Sequence, residues 1–229
     1  LHTRYTGEIG DVVVGRIIEV GHQGWKVDIF SARDGNLALS SINFGGTQLR
    51  RIQATDEYNM RSFFVEGDLI NAEVCAIHQS GQIQLQTRGS KFGKLVNGQL
   101  IHVQPQLIKR VKNHILSFPF GVDIVLGHNG GIWISSPAPP SSDDNTTIIK
   151  VTPEVREKIA RVRNCITILS NLFAPISPES IQALYDTSLQ SSTPAKDLLK
   201  PEVIQKLSSV IKISSHHDID LNELDDMVV

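Results

Sequence analysis

Cysteine is scarce: Cys75 and Cys165 are the only two among 229 residues, and they stand far apart. Neither lies in a CxxC pair or beside a histidine at metal-ligand spacing. A disulfide framework and a zinc ribbon are therefore excluded, and two buried free thiols in a reducing compartment are expected. No run approaches the roughly 18 apolar residues of a membrane span. No charged, apolar and small-residue order of a secretory leader is present either. A soluble intracellular protein with no membrane partner is the expectation. The chain opens on Leu1 rather than Met, so residues 1–6 are read as the end of an N-terminal region.

Catalytic signals are missing too. There is no GxSxG, Walker loop or HExxH. The carboxylates of residues 1–136 are scattered, with no DxD run to hold the metal ions that phosphodiester cleavage uses. His216-His217-Asp218 is a run of neighbours that point different ways, and it is not read as a metal site. No catalytic residue, metal, cofactor or small-molecule substrate is expected.

An excess of charge is also lacking. The formal net charge is −2, which excludes a polycationic arm but not a local basic patch. Residues 1–90 carry 8 Lys+Arg against 10 Asp+Glu, residues 91–136 carry 5 against 1, and residues 137–229 carry 9 against 13. A basic middle lies between two acidic ends.

What is present begins with β patterning. Gly10-Asp11 opens DVVVGRIIEV. GWKVDIF then puts Trp25, Val27 and Ile29 on one face and Lys26 and Asp28 on the other, and Leu37 and Leu39 stay in phase. Gly67-Asp68 opens LINAEVCAI. After the turn at Gln79-Ser80-Gly81, Ile83 and Leu85 alternate with Gln82, Gln84 and Gln86, the pattern of a strand with one wet face. Five short strands, with a polar excursion over 43–66 before the fourth, predict a small closed barrel of the OB type over residues 7–90.

Residues 91–136 predict a second unit. GQLIHV reads as a strand. PQLIKRVKNHIL reads as a helix with Pro105 in its first turn and Leu107, Val111 and Leu116 as its stripe. VDIVL and IWIS flank Gly127-His128-Asn129-Gly130, where Asn-Gly predicts a tight hairpin. Residues 137–150 are rich in Pro, Ser and Asp and read as a linker. Residues 151–213 are helical, with Thr152-Pro153, Ser177-Pro178 and Thr193-Pro194 as start signals. Residues 214–229 form an acidic tail.

The order Gly-Asp-strand, Gly-aromatic-strand, Gly-hydrophobic-Ser, Gly-Asp-strand-turn-strand resembles the S1 RNA-binding domain over residues 7–88. The positions where such domains stack bases hold Gln23, Lys26 and Ala38-Leu39 instead. The middle unit, with its GxNG at Gly127–Gly130 followed by Ile132-Trp133, resembles the KH domain of the RNA exosome cap subunits. The order S1 before KH fits those subunits, whereas polynucleotide phosphorylase carries the reverse.

The resemblance implies a mixed all-β plus α+β fold: an S1-type OB barrel, a KH domain (91–136) and a C-terminal helical extension that packs on the KH domain. It implies a non-catalytic subunit that stabilises a ring of RNase PH-like subunits beside other cap subunits. Such a subunit guides single-stranded RNA into the channel for 3′–5′ processing, in the nucleus, nucleolus and cytoplasm. A stand-alone S1/KH factor, or a fragment of a phosphorolytic exoribonuclease, is the alternative.

The candidate RNA contacts are Lys26, Arg50, Arg51, Lys91, Lys94, Lys109, Arg110 and Lys112, with Lys109 and Lys112 one helical turn apart. The GxNG, predicted to lie between strands, is expected to be structural rather than a phosphate clamp. Trp25 is assigned by its phase to a core or an interface. The polar side of the first C-terminal helix, with Arg156, Lys158, Arg161 and Arg163, is a further candidate surface.

Overall fold

A computed structural model describes residues 4–42, 54–89, 91–137, 151–191 and 193–207. Arg50, Arg51, most of the 137–150 linker, the His216-His217-Asp218 run and the acidic tail lie outside the described residues. The chain divides into two compact units, Leu1–Ile159 and Ala160–Val229.

In the first unit, β1 (Val12–Val20), β2 (Gly24–Asp28), β3 (Gly35–Ile42), β4 (Leu69–Ile77) and β5 (Ile83–Thr87) join in the order β1-β2-β3-β5-β4, and β1–β4 pairing closes the barrel. β3 and β5 run parallel and the other pairs are antiparallel. The two Gly-Asp openers are one device used twice. Gly10 and Gly67 take φ of +90° and +93°, which glycine adopts without strain. The Asp11 carboxylate then accepts the Glu8 N–H at 3.0 Å, and Asp68 accepts that of Val65 at 2.9 Å. Each opener also pairs with the other strand: Gly10 N–H donates to Val74 O and Gly67 N–H to Ile17 O, both at 2.8 Å.

Inward residues of all five strands form one core, among them Val13, Ile17, Val27, Leu37, Ile70, Val74, Ile83 and Leu85. Trp25 is fully buried within it, with its indole N–H donating to Phe64 O at 3.1 Å and Phe63 and Phe64 edge-on to its ring. Within the polar excursion, α1 (Ala54–Tyr58) and α2 (Met60–Phe63) are short helical turns that deliver Met60 and Phe64 to that core.

A two-residue strand, β6 (Gly93–Lys94), pairs with β4. β7 (Gly98–His102), β8 (Ile115–Phe118), β9 (Val122–Leu126) and β10 (Gly131–Ser135) then form an antiparallel sheet in the order β7-β10-β9-β8. The helix expected over 105–116 is absent. Pro105–Leu107 makes a single 3-10 turn, and Ile108 is extended and buried. The apolar spacing from Leu107 to Val111 to Leu116 is four and then five, which no single helix face sustains. A loop contact and a strand pairing take the backbone instead: His114 Nε2 accepts the Val111 N–H at 3.3 Å, and Ile115 pairs with Val125. Lys109 and Lys112 therefore share a loop, not a helix face.

Two helices follow, α3 (Pro153–Asn171) and α4 (Pro178–Gln190), with further helical residues at 201–207. Ser177 caps α4, its side chain accepting the Ser180 N–H at 3.2 Å while Ser180 Oγ accepts the Ser177 N–H at 2.9 Å. The second unit has its own core of Val162, Cys165, Ile166, Leu169, Ile181, Leu184, Tyr185 and Leu198. Arg161, expected on the polar side of α3, is buried. Its guanidinium donates to Thr193 O at 2.9 Å and to Ser188 Oγ at 3.3 Å. The buried face of α3 is wider than its leading stripe because α4 and the 193–198 turn both pack on it. Arg156 and Arg163 remain exposed.

Candidate nucleic-acid interface

The barrel and the four-stranded sheet meet along β1. Its Val13 and Ile17 face the barrel core, while Val12 and Val14 pack with Leu69, Leu95, Leu100, Ile115, Val125 and Trp133. β1 joins β2 only from Arg16 onward, so the outer backbone edge of Val12 and Val14 has no strand beside it. Buried peptide groups of this kind need partners. The β9–β10 turn supplies them. Asn129, fully buried, donates from Nδ2 to Val14 O and Ile29 O at 2.8 Å each, and its Oδ1 accepts the Val14 N–H at 3.2 Å. His128 N–H donates to Val12 O at 2.8 Å, and His128 Nδ1 accepts the Val12 N–H at 3.1 Å.

The glycines of the motif make this approach possible. Gly130 has φ of +87°, and a methyl on Gly127 would come within 2.5 Å of Asn129 Oδ1. The backbone N–H groups of Gly127, His128 and Gly130 are all directed to protein carbonyls. The turn has no free row of donors of the kind that clamps a phosphate.

A polar cluster reinforces the junction. Asp11, buried, accepts the Tyr5 hydroxyl at 2.6 Å and faces Arg110 Nη2 at 3.5 Å and His128 Nδ1 at 3.8 Å. Burial, and then the hydrogen bond to Asp11, push the Tyr5 phenol far up, so it stays protonated. The His114 and His128 rings lie 3.8 Å apart. His114 Nδ1 donates to Leu126 O at 2.8 Å, with its Nε2 accepting from Val111. Loss of solvent around His114, followed by its electrostatic interaction with the His128 ring, holds its pKa below the usual histidine value. A cleft of about 190 Å³ beside this cluster carries both signs of charge, Arg4 and Arg110 against Glu8 and Asp11.

The predicted cations divide into two groups. Lys26 pairs with Asp34 at 3.1 Å, Lys94 with Asp68 at 2.8 Å, and Arg110 with Glu8 at 3.0 Å. Lys91, Lys109 and Lys112 are exposed, and they do not form an ion pair among the described residues. The 108–114 loop brings Lys109 and Lys112 to the surface, while Arg110 between them turns to the barrel.

Outward side chains of the barrel form a polar row of which the candidate RNA contacts include only Lys26. Lys26 pairs across to Asn36, and Asn36 to Gln84. His78 Nε2 lies 2.9 Å from Gln84 Oε1, and Arg88 reaches Ser40 O at 3.3 Å. The alternation of Gln82, Gln84 and Gln86 marked this wet face, but amides carry no charge and escaped a search for cations. With Trp25 in the core, the row presents hydrogen-bonding groups rather than a stacking ring.

Among the described residues no helix is long and apolar enough to cross a membrane, and no group of three His, Cys, Asp or Glu could hold a metal ion. Cys75 and Cys165 are free thiols. Burial raises both, Cys165 up to about 12.

Comparison with known proteins gives concordant matches. The family model for the S1 domain of RRP4 matches residues 4–76, and a KH domain model matches residues 98–140. Exosome complex component RRP4 of Mus musculus is 44% identical over 212 residues, covering 90% of this chain and 71% of that protein. The Saccharomyces cerevisiae protein of the same name is 34% identical over 250 residues, covering 92% and 69%. The Pyrococcus abyssi protein is 34% identical over 139 residues, covering 57% of this chain and 50% of its own length. A crystal structure provisionally described as an exosome complex RNA-binding protein superposes with a TM-score of 0.55 at 19% identity, covering 83% of this chain and 100% of the other. At that identity the superposition establishes the fold alone.

Proposed function

The chain belongs to the RRP4 family of exosome complex components, and from that membership we propose that it is a non-catalytic, RNA-binding cap subunit of an exosome. In this reading it sits on a ring of RNase PH-like subunits beside other cap subunits. It steadies that ring and guides single-stranded RNA toward the channel, in the nucleus, the nucleolus and the cytoplasm. Bond cleavage belongs to other subunits.

The observation that carries the reading is how the GxNG turn is used. In a phosphate-clamping KH loop the backbone N–H groups are offered to the nucleic acid. Here the His128 N–H and the Asn129 amide join the sheet to β1, while the Gly127 and Gly130 N–H groups close the turn on itself. RNA contact then falls to exposed side chains around a rigid barrel–sheet body. We assign that role to Lys91, Lys109 and Lys112, with Asn36 and Gln84 of the barrel face. The paired cations Lys26, Lys94 and Arg110 are secondary. Three free lysines give weak, salt-dependent attraction to phosphate rather than tight autonomous binding. Such a subunit depends on its assembly.

Co-purification of the native protein tests this. The expected result is recovery in a stoichiometric assembly of about nine or more subunits that degrades RNA, with no RNA turnover by the purified chain alone. Recovery as a monomer that binds RNA tightly with a steep salt slope would favour a stand-alone factor. Turnover that tracks the isolated chain through every purification step would overturn the non-catalytic reading.

A further inference from the structure

The loop leaving β2 holds an aromatic residue in an unusual way. Phe30 has φ of +55°, in the left-handed region that favours glycine. Such a conformation persists where the surroundings over-determine it, and three contacts do so here. Ile29 C=O accepts from Asn129 Nδ2 at 2.8 Å, Phe30 N–H donates to Asp28 Oδ1 at 2.9 Å, and Ser31 Oγ donates to Tyr5 O at 2.8 Å. The phenyl ring so fixed is not among the residues of the barrel core or of the cluster around Val14, Val125 and Trp133. It is half-buried, and its centroid lies 4.4 Å from the imidazole of His102, with the planes tilted by 50°. His102 ends β7, pairs with Gly131 immediately after the GxNG turn, and is exposed. One ring comes from the barrel and the other from the sheet, so the pair exists only because the two are docked.

Resting on the RNA-binding reading above, we propose that Phe30 and His102 form a stacking site for one unpaired base of single-stranded RNA. The chemistry fits a base better than a protein side chain. The pair presents π surface, with ring nitrogens on His102 able to meet a base edge. Arg33, exposed in the same loop, adds a cation for the adjoining phosphate. Loss of solvent where the ring packs lowers the His102 pKa from the usual histidine value, opposed by the charge of Asp28. The site also lies away from the strand-two and strand-three positions of the barrel, where Gln23, Lys26 and Ala38 offer no ring. Stacking of this kind tolerates any base, because every base has a π face.

The test measures affinity of the reconstituted assembly for a single-stranded oligoribonucleotide carrying 2-aminopurine, at several salt concentrations. Phe30→Gly removes the ring while accepting the same φ, and His102→Ala removes its partner at an exposed position. Each is expected to weaken binding about five- to thirtyfold, with loss of 2-aminopurine quenching and an unchanged salt slope. His102→Phe should bind within about twofold of the parent. If the parent binds RNA and both ring deletions stay within twofold of it, the pair is structural only: the stacking site is overturned and the RNA-binding reading stands. If the parent assembly gains no RNA affinity from this subunit, both fall. Should Phe30→Gly fail to fold, His102→Ala decides alone.

Discussion

Asn129 shows how much one side chain can organise. Its amide replaces a missing strand along β1, making three hydrogen bonds to Val14 and Ile29 from a fully buried position. Asn129→Ala leaves those peptide groups unsatisfied, and we predict a loss of about 2–4 kcal/mol. Chemical denaturation of the whole chain checks this, and a loss under about 1 kcal/mol would contradict the role. The Asn-Gly dipeptide was legible as a tight turn because positive φ is a local property. Its partner was not, since Val14 lies 115 positions away and nothing periodic encodes that meeting. Arg110 has the same history. Read alone it is a cation for RNA, but folding sets it against Glu8 and Asp11, remote in sequence.

Strands were more readable than helices in this chain. Period-two alternation is short-range and survives packing, so Trp25, Val27, Leu37, Ile83 and Leu85 could be assigned inward before any coordinates. The segment 105–116 misled because an apolar residue near every fourth position suffices for a helical reading, while sheet pairing prevails over one short isolated helix. On α3 the error was of width: Arg161 lies outside the leading stripe yet under two neighbours.

At this scale the imidazoles join elements. His114 ties the 108–114 loop to β9 and stacks on the β9–β10 turn. Its folded pKa lies below the unfolded value of about 6.5. The unfolded state therefore binds more protons below that pH, and this contribution is complete above about 6.5 and lost as pH falls toward the depressed folded value. We predict a lower melting temperature at pH 5.5 than at pH 7.5, and a smaller difference in His114→Gln. Equal pH dependence in parent and variant would show that His114 is not the group responsible.

For the whole molecule, the near-neutral total charge conceals the division that matters. The segment 91–136 is basic between acidic flanks, and folding neutralises part of that excess through Lys94 and Arg110. The cations of this segment without an ion pair among the described residues are Lys91, Lys109 and Lys112, beside a barrel whose polar face hydrogen-bonds. Bulk attraction is thus small and the assembly must supply the rest, consistent with membership in a family of exosome components. Composition could show where the basic segment lies. It could not show which cations already have partners, because ion pairing is set by tertiary contact.

The central claim, a cap subunit that holds RNA without cutting it, is tested most directly by nuclease protection on the reconstituted assembly. The length and occupancy of single-stranded RNA shielded by the parent complex are compared with those of a complex carrying Lys91→Glu, Lys109→Glu and Lys112→Glu. Reversing three charges near phosphate should weaken protection about tenfold or more at moderate salt. The rate on RNAs too short to reach the cap should stay the same. Undiminished protection by the reversed complex would contradict the account.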